Sequence, residues 1–207
     1  MQAGGHPRPE EPLGGLPGIH SAPDRGKDAR EGVVMPVVGK PVMGGRGVYL
    51  GIDPGMSGGL AALGVNGGVS ITKMPATEAD IWEWFQAFSH ATFAVIEKVG
   101  GYISGAGGKG GGAANGSAMF KFGFSTGVLY GLLTAGGIPF EEVSPRIWQA
   151  ELGILKRKKS ESKTQWKNRL KALAQRLFPS VGVTLATADA ILLAEYCRRL
   201  REGRLEK

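Results

Sequence analysis

Three carboxylates that lie far apart in the sequence are the residues most suited to chemistry: Asp53, Glu97 and Asp189. Asp53 ends an apolar, β-prone run and is followed at once by a proline and a glycine, so the pattern predicts a strand that ends in a tight turn. The glycines let a phosphate or a metal ion approach closely, so a carboxylate at this position is a candidate for chemistry on either. The alternative is that Asp53 only caps the turn.

Glu97 and Asp189 also have a structural explanation beside the chemical one. Glu97 interrupts the apolar run of residues 92–99, and burying a glutamate is costly unless it is paired or bound to a metal. An exposed position on an edge strand is the alternative. Asp189 lies in the first turn of a helix expected at residues 187–200, where a negative charge suits the helix dipole.

The elements that must position these acids form an α/β pattern. Apolar runs predict five strands, and amphipathic runs predict helices from the third strand onward. The strands are expected at residues 48–52, 60–65, 69–73, 92–99 and 138–143, and the helices after Thr77 and within 117–136, 155–177 and 187–200. Pro145 is expected to open a turn or a short helix that contains Trp148.

Three of these helices carry further patterns. Glycines recur every four residues on one face of the helix within 117–136, which lets another backbone approach, either the sheet or a symmetry mate; they are Gly123, Gly127 and Gly131. Helical spacing also predicts the core face of the helix within 155–177, formed by Trp166, Leu170, Leu173, Ala174 and Leu177. The last helix is expected to bury one stripe, formed by Ala190, Leu193, Ala194 and Cys197.

The segment 155–177 is also the most basic part of a chain whose formal net charge is +7. That charge favours a polyanionic partner, although an anionic membrane surface is compatible with it. Few acids match these cations at helical spacing, so contact with nucleic-acid phosphates is favoured over a merely solvated face. The lysines expected to contact DNA are Lys121, Lys156, Lys158, Lys159, Lys163 and Lys167.

Length and composition indicate one domain with a tail. Residues 1–46 are rich in glycine and proline and are expected to be disordered, residues 47–202 form the domain with a Gly-rich loop at 100–116, and 203–207 form a C-terminal tail.

No apolar run is long enough for a membrane span, and the first residues lack a secretion signal. The single cysteine, Cys197, excludes an intramolecular disulfide and a multi-cysteine zinc site. We therefore expect a cytoplasmic protein.

Together these patterns resemble the ribonuclease H-like superfamily and, within it, the RuvC-type Holliday junction resolvases, particularly the phage-type branch. The motifs follow the family's order from Val48 to Arg199. They are G-I-D-P-G-M-S-G at 51–58, V-I-E-K-V at 95–99, F-K-F-G-F-S-T-G at 120–127, S-E-S-K-T-Q at 160–165, L-F-P at 177–179 and A-D-A-I-L-L-A-E-Y at 188–196.

The resemblance implies an α/β fold, a ribonuclease H-like mixed five-stranded sheet flanked by helices. Its first and fourth strands are neighbours, and the last helix packs against them. The resemblance also implies that Asp53, Glu97 and Asp189 are metal ligands and catalytic residues, and that Lys163 is a catalytic lysine. Converging acids repel each other without a divalent cation, and two Mg²⁺ ions about 4 Å apart are the usual solution for phosphodiester hydrolysis, so Mg²⁺ is expected, with Mn²⁺ as a substitute. The implied protein is a homodimeric endonuclease of branched DNA (four-way junctions) in a bacterial or phage-infected cell.

The sequence departs from the family in two places. A further acid or histidine usually precedes the final aspartate by three to five residues, but Thr184, Leu185 and Ala186 stand there, so a fourth ligand is absent or replaced. The Gly-rich insertion is also longer than the usual loop.

Three other functions compete with junction cleavage. One is a nuclease of flaps or RNA–DNA hybrids, and another is a non-catalytic or weakly catalytic branched-DNA-binding module of the same fold. Sugar-kinase or actin-like ATPases share a phosphate turn of this type, but they need two duplicated domains, for which this chain is too short.

Overall fold

The computed structural model describes residues 47–98 and 113–204, and in them the expected order of elements is confirmed. The strands are β1 Val48–Asp53, β2 Gly59–Gly64, β3 Val69–Lys73, β4 Phe93–Glu97 and β5 Phe140–Val143. The helices are α1 Glu78–Ala87, α2 Ala113–Ala135, α3 Pro145–Glu151, α4 Lys163–Leu177 and α5 Ala188–Arg201. The N-terminal tail and most of the Gly-rich loop lie outside the described residues, as do the last three residues of the chain.

Helix α2 begins earlier than the sequence predicts. The Gly-rich loop was expected to reach residue 116, but residues 113–116 already belong to α2. Two consecutive alanines, which have the highest helix propensity, open the helix and outweigh the glycine at 116. Further along, Ser144 precedes Pro145 at the first turn of α3, so this proline opens a short helix.

The sheet is mixed and has the order β3-β2-β1-β4-β5. β1 runs antiparallel to β2 and parallel to β4, and β4 runs parallel to β5. Ile52 pairs with Ile96, so the next residues along, Asp53 and Glu97, end neighbouring strands side by side. Because β4 is paired on both sides, the alternative that Glu97 lies on an edge strand is wrong.

The two faces of the sheet bury separate cores. Leu50 and Ile52 point to one face, where they pack with α1 and the C-terminal part of α2. Since side chains alternate along a strand, Asp53 points to the opposite face, with Tyr49. That face is covered mainly by α5, which also contacts α3 and α4.

Helix α5 is buried on every side, and not along one stripe as expected. Every residue of its segment 188–197 is buried, because the helix lies between the sheet and the α3–α4 layer. This enclosure includes Glu195, which is 3% exposed. Its carboxylate pairs with Arg198 and Arg199, each at 2.7 Å, and these charge-assisted contacts offset the cost of burying it.

The expected faces of α2 and α4 are only partly confirmed. In α4, Leu170 and Ala174 are buried, but Leu177 is exposed near the end of the helix. In α2, an added Cβ at any of the three regularly spaced glycines would meet no atom within 4 Å. That glycine face therefore does not pack on the sheet. None of the helices in the described residues is long and apolar enough to cross a membrane.

Candidate active site

The turn after β1 fixes the direction in which Asp53 leaves the strand. Gly55 has φ +100°, a conformation that favours glycine, and its carbonyl accepts a hydrogen bond from the Gly58 N–H at 3.0 Å. A Cβ on Gly58 would lie 2.0 Å from the Asp53 carbonyl oxygen. Within the described part of the chain, no donor of this turn bonds the Asp53 carboxylate, so the structure does not support a turn-capping role.

Gly51 brings helix α5 against the strand that carries Asp53. A Cβ on Gly51 would lie 2.1 Å from the Ala190 carbonyl oxygen and 2.2 Å from the Ala194 nitrogen. The backbones of β1 and α5 can approach this closely only because the residue between them has no side chain. Asp189, next to Ala190 in the first turn of α5, is thereby held beside the end of β1.

The Glu97 carboxylate is oriented by a tryptophan. The indole Nε1–H of Trp148 in α3 donates a hydrogen bond of 2.9 Å to Glu97 Oε2. Trp148 is fully buried, whereas Glu97 is half-buried at the end of β4. A buried donor that cannot turn away holds the carboxylate in one direction.

The Asp189 carboxylate has one paired and one unpaired oxygen. Its Oδ2 accepts a hydrogen bond from the Lys167 ammonium, which reaches it from the second turn of α4. Its Oδ1 is buried and has no hydrogen-bond partner. The Asp189 side chain is only 7% exposed, so the unpaired oxygen has lost its water without gaining a donor, which is costly.

The pKa shifts of Asp53 and Glu97 both include repulsion from the carboxylate of Asp189. Burial raises the pKa of Asp53 to about 8, and the negative charges of Asp189 and Glu97 add to the effect against the opposing Lys167 ammonium. Burial also raises the pKa of Glu97, against the lowering effect of the Trp148 hydrogen bond. Burial alone would lower the pKa of Lys167, but attraction to the acids, Asp189 foremost, outweighs it and raises that pKa. The site thus disfavours the charged form of Asp53.

A divalent cation fits the donor set. Carboxylate oxygens are the ligands that Mg²⁺ and Mn²⁺ prefer, and the orphaned Asp189 Oδ1 offers an oxygen without a partner. In the part of the chain that the structure describes, however, no three His, Cys, Asp or Glu side chains are already arranged as a ligand cluster. The cation that the structure places on Asp189 is the ammonium of Lys167.

The predicted lysines separate into two groups. Lys167 meets the acids, whereas Lys163 is exposed at the start of α4 and forms no ion pair with them among the described residues. Four more lie exposed on α2 or on the segment before α4: Lys121, Lys156, Lys158 and Lys159. Glu161 holds that segment against α4 through two 3.0 Å hydrogen bonds from Arg169.

Sequence reasoning missed two contacts of this site. The sequence places Trp148 in a turn or a short helix without a partner, and no pattern links it to a glutamate about fifty residues earlier in the chain. Lys167 was predicted to contact DNA, not the acids. The only signal was its spacing of four residues from Lys163, which puts both on one face of α4.

No family model matches the chain, and no curated protein matches it either. Solved structures do. The structure of RuvC from Thermus thermophilus in complex with a Holliday junction substrate has a TM-score of 0.52 and 15% identity, over 78% of this chain and 99% of that chain. A second structure of Thermus thermophilus RuvC has a TM-score of 0.47 and 18% identity, over 77% and 98%. The first of these likenesses and the sheet order together give the chain a RuvC-like, ribonuclease H-like α/β fold, with a mixed five-stranded sheet flanked by helices.

Proposed function

We propose that this chain is a metal-dependent endonuclease that nicks four-way DNA junctions, nearest in kind to the phage-type resolvases. The observation that carries the proposal is the buried Asp189 oxygen that lacks a partner, on a helix that packs against the two strands ending at Asp53 and Glu97. The RuvC structure with the same fold contains a Holliday junction substrate, which supports the same substrate class here.

The roles of the site residues follow from their positions. Asp53, Glu97 and Asp189 would hold Mg²⁺ or Mn²⁺, which when bound polarises a scissile phosphate and activates water. Trp148 keeps Glu97 aimed at the site through its 2.9 Å hydrogen bond. The exposed ammonium of Lys163 would reach the substrate phosphate and stabilise charge that develops on it.

Binding to DNA would use the exposed lysines before α4 and Lys121 of α2. We also propose a homodimer, which places two sites in the symmetry of a four-way junction. The open face of α2, with Gly123, Gly127 and the exposed Phe120 and Phe124, supports an interface, because an exposed apolar face of this kind often marks one.

The test is cleavage of a synthetic four-way junction. With Mg²⁺ the purified chain should nick the junction and leave a linear duplex of the same sequence intact, and EDTA should stop the reaction. Flap and RNA–DNA hybrid substrates are run in parallel. Preferential cleavage of either would overturn the junction assignment while retaining a nuclease.

Substitutions of the acids test the site itself. Asp53→Asn, Glu97→Gln and Asp189→Asn should each abolish nicking and leave junction binding in Ca²⁺ intact, because each removes a ligand without removing a phosphate contact. Glu83→Gln, on the exposed side of α1, is the matched control and should cut normally. If Glu97→Gln cleaved the junction like wild type, Glu97 would not be a required metal ligand.

A branched-DNA-binding module without catalysis is the second candidate. The observation that favours it is the Lys167–Asp189 ion pair, together with the lack of a ready ligand cluster in the described residues. Tight junction binding with no nicking in either Mg²⁺ or Mn²⁺ would support this module over the nuclease.

A further inference from the structure

The carboxylate of Asp189 offers one unpartnered oxygen to a divalent cation. Two of the carboxylate oxygens already accept a protein donor: Glu97 Oε2 bonds Trp148, and Asp189 Oδ2 bonds Lys167. The oxygen that is buried and lacks any partner is Asp189 Oδ1. It lies on a side chain that is more than nine-tenths buried, where water cannot substitute for a ligand.

The segment that leads into α5 supplies no ligand for another ion. Residues Thr184 to Thr187 contain neither a carboxylate nor an imidazole. The Thr184 hydroxyl is already engaged with the Thr187 hydroxyl at 3.1 Å and accepts the Thr187 backbone N–H at 3.2 Å. A second hard cation, which needs several oxygen ligands, would find no charged ligand in this segment.

The charges lead to the same result. With all three carboxylates ionised, as metal binding requires, they and the Lys167 ammonium together carry a net charge of minus two. One divalent ion neutralises that charge, whereas two would leave the same excess of positive charge in a largely buried site, where unbalanced charge is costly.

We propose that the site binds a single divalent cation per chain and that the Lys167 ammonium stands where a second would bind. The proposal rests on the metal-dependent function above and specifies its metal content. Lys167 is then a fixed counter-ion of the acids, and its partner Asp189 binds the metal through the opposite oxygen. One cation is exchangeable and the other is built into α4.

The experiment counts Mn²⁺ bound per chain, by the loss of the free-ion electron paramagnetic resonance signal. Wild type, Lys167→Met and Lys171→Met are compared. Lys171 lies one turn further along α4, so its replacement removes an equal charge away from the acids. Asp189→Asn identifies the ions that belong to the site, and circular dichroism checks that each variant is folded.

One site-specific ion is expected in wild type and in Lys171→Met, and two in Lys167→Met. Two ions in wild type would overturn the inference but leave the metal-dependent nuclease intact, even if Lys167→Met did not fold. One ion in both wild type and folded Lys167→Met would also overturn it, since Lys167 would then exclude nothing. If wild type bound no ion, the metal dependence itself would be refuted. Comparing junction cleavage in Mg²⁺ with cleavage in EDTA measures that dependence independently.

Discussion

Each carboxylate of the candidate site has a different kind of neighbour. Glu97 is held by the indole of Trp148, Asp189 by the ammonium of Lys167, and Asp53 mainly by the strand and turn that carry it. These neighbours give the three acids different electrostatic environments at one place. Burial dominates for Asp53, and its pKa of about 8 shows how strongly the metal-free site opposes its charge.

The stability of the metal-free protein should therefore depend on pH through Asp53. An unfolded aspartate titrates near pH 3.9, whereas folded Asp53 titrates at about 8. Between these values the folded state binds more protons, so the free energy of unfolding should fall as pH rises through this window and level off above it. Urea unfolding in EDTA at several pH values measures the slope.

Replacing Asp53 with asparagine removes that titration. Asp53→Asn should reduce the slope and stabilise the metal-free protein more at pH 9 than at pH 5, although Glu97, whose pKa is also raised, keeps part of the dependence. The exposed Glu83→Gln variant is the control and should follow wild type. Equal slopes for wild type and Asp53→Asn would show that burial of Asp53 costs nothing.

Among the elements, β1 and α5 make the contact that assembles the site. Asp53 and Asp189 lie at the ends of these two elements, and Gly51 is the point at which their backbones meet. Stripes of small and apolar residues on both elements predicted burial. The distance between the backbones of β1 and α5 could not be predicted in this way, because it depends on atoms from segments that are far apart in sequence.

Gly51→Ala should damage both the fold and the site. Its Cβ would meet backbone atoms at 2.1 and 2.2 Å, and backbone cannot move aside as a flexible side chain can. Overpacking of this kind costs about 1–3 kcal/mol or more, and α5 would be pushed off β1 together with Asp189. Thermal unfolding and junction nicking should both fall.

Gly123→Ala is the matched control, because an added Cβ there meets nothing within 4 Å. Alanine in an exposed helix interior stabilises by about 1 kcal/mol relative to glycine, so the monomeric variant, in which this face of α2 is open, should unfold at a higher temperature. A destabilised Gly123→Ala protein would mean that this face of α2 is covered in solution. A fully stable Gly51→Ala protein would contradict the close contact of β1 with α5.

At the scale of the whole molecule, the formal charge of +7 has local contributors with different roles. Arg198 and Arg199 are engaged with the buried Glu195, and Lys167 with Asp189. The exposed cations before α4 include Lys158 and Lys159. Exposed cations such as these can contact phosphates without breaking a structural ion pair.

Lys158 and Lys159 should therefore dominate the salt dependence of DNA binding. Replacing both with alanine should lower the slope of log K against log salt by about 1.8, since each duplex phosphate contact contributes about 0.9. Lys171→Ala with Arg176→Ala removes the same charge from a later part of α4 and should change the slope less. Fluorescence anisotropy with a four-way junction at several salt concentrations measures it. Equal changes in the two variants would show that net charge, not this segment, sets affinity.

The order of the elements could be predicted from sequence alone, as could the strand ends at Asp53 and near Glu97 and the helix that starts near Asp189. These features are local: alternation, turn residues and helix periodicity lie within windows of ten to twenty residues. The resemblance to the RuvC-type family also predicted the fold, which the structure confirms. The catalytic and metal-binding roles of the acids stay predictions.

Tertiary structure decided which groups meet these acids. Lys167, not Lys163, pairs with Asp189, because the crossing of α4 over α5 selects one turn of α4 and the spacing along the sequence allows either. Trp148 bonds Glu97 because α3 follows β5, the neighbour of β4 in the sheet. Such contacts join residues that are distant in sequence, and the positions of whole elements fix them. No local pattern encodes those positions.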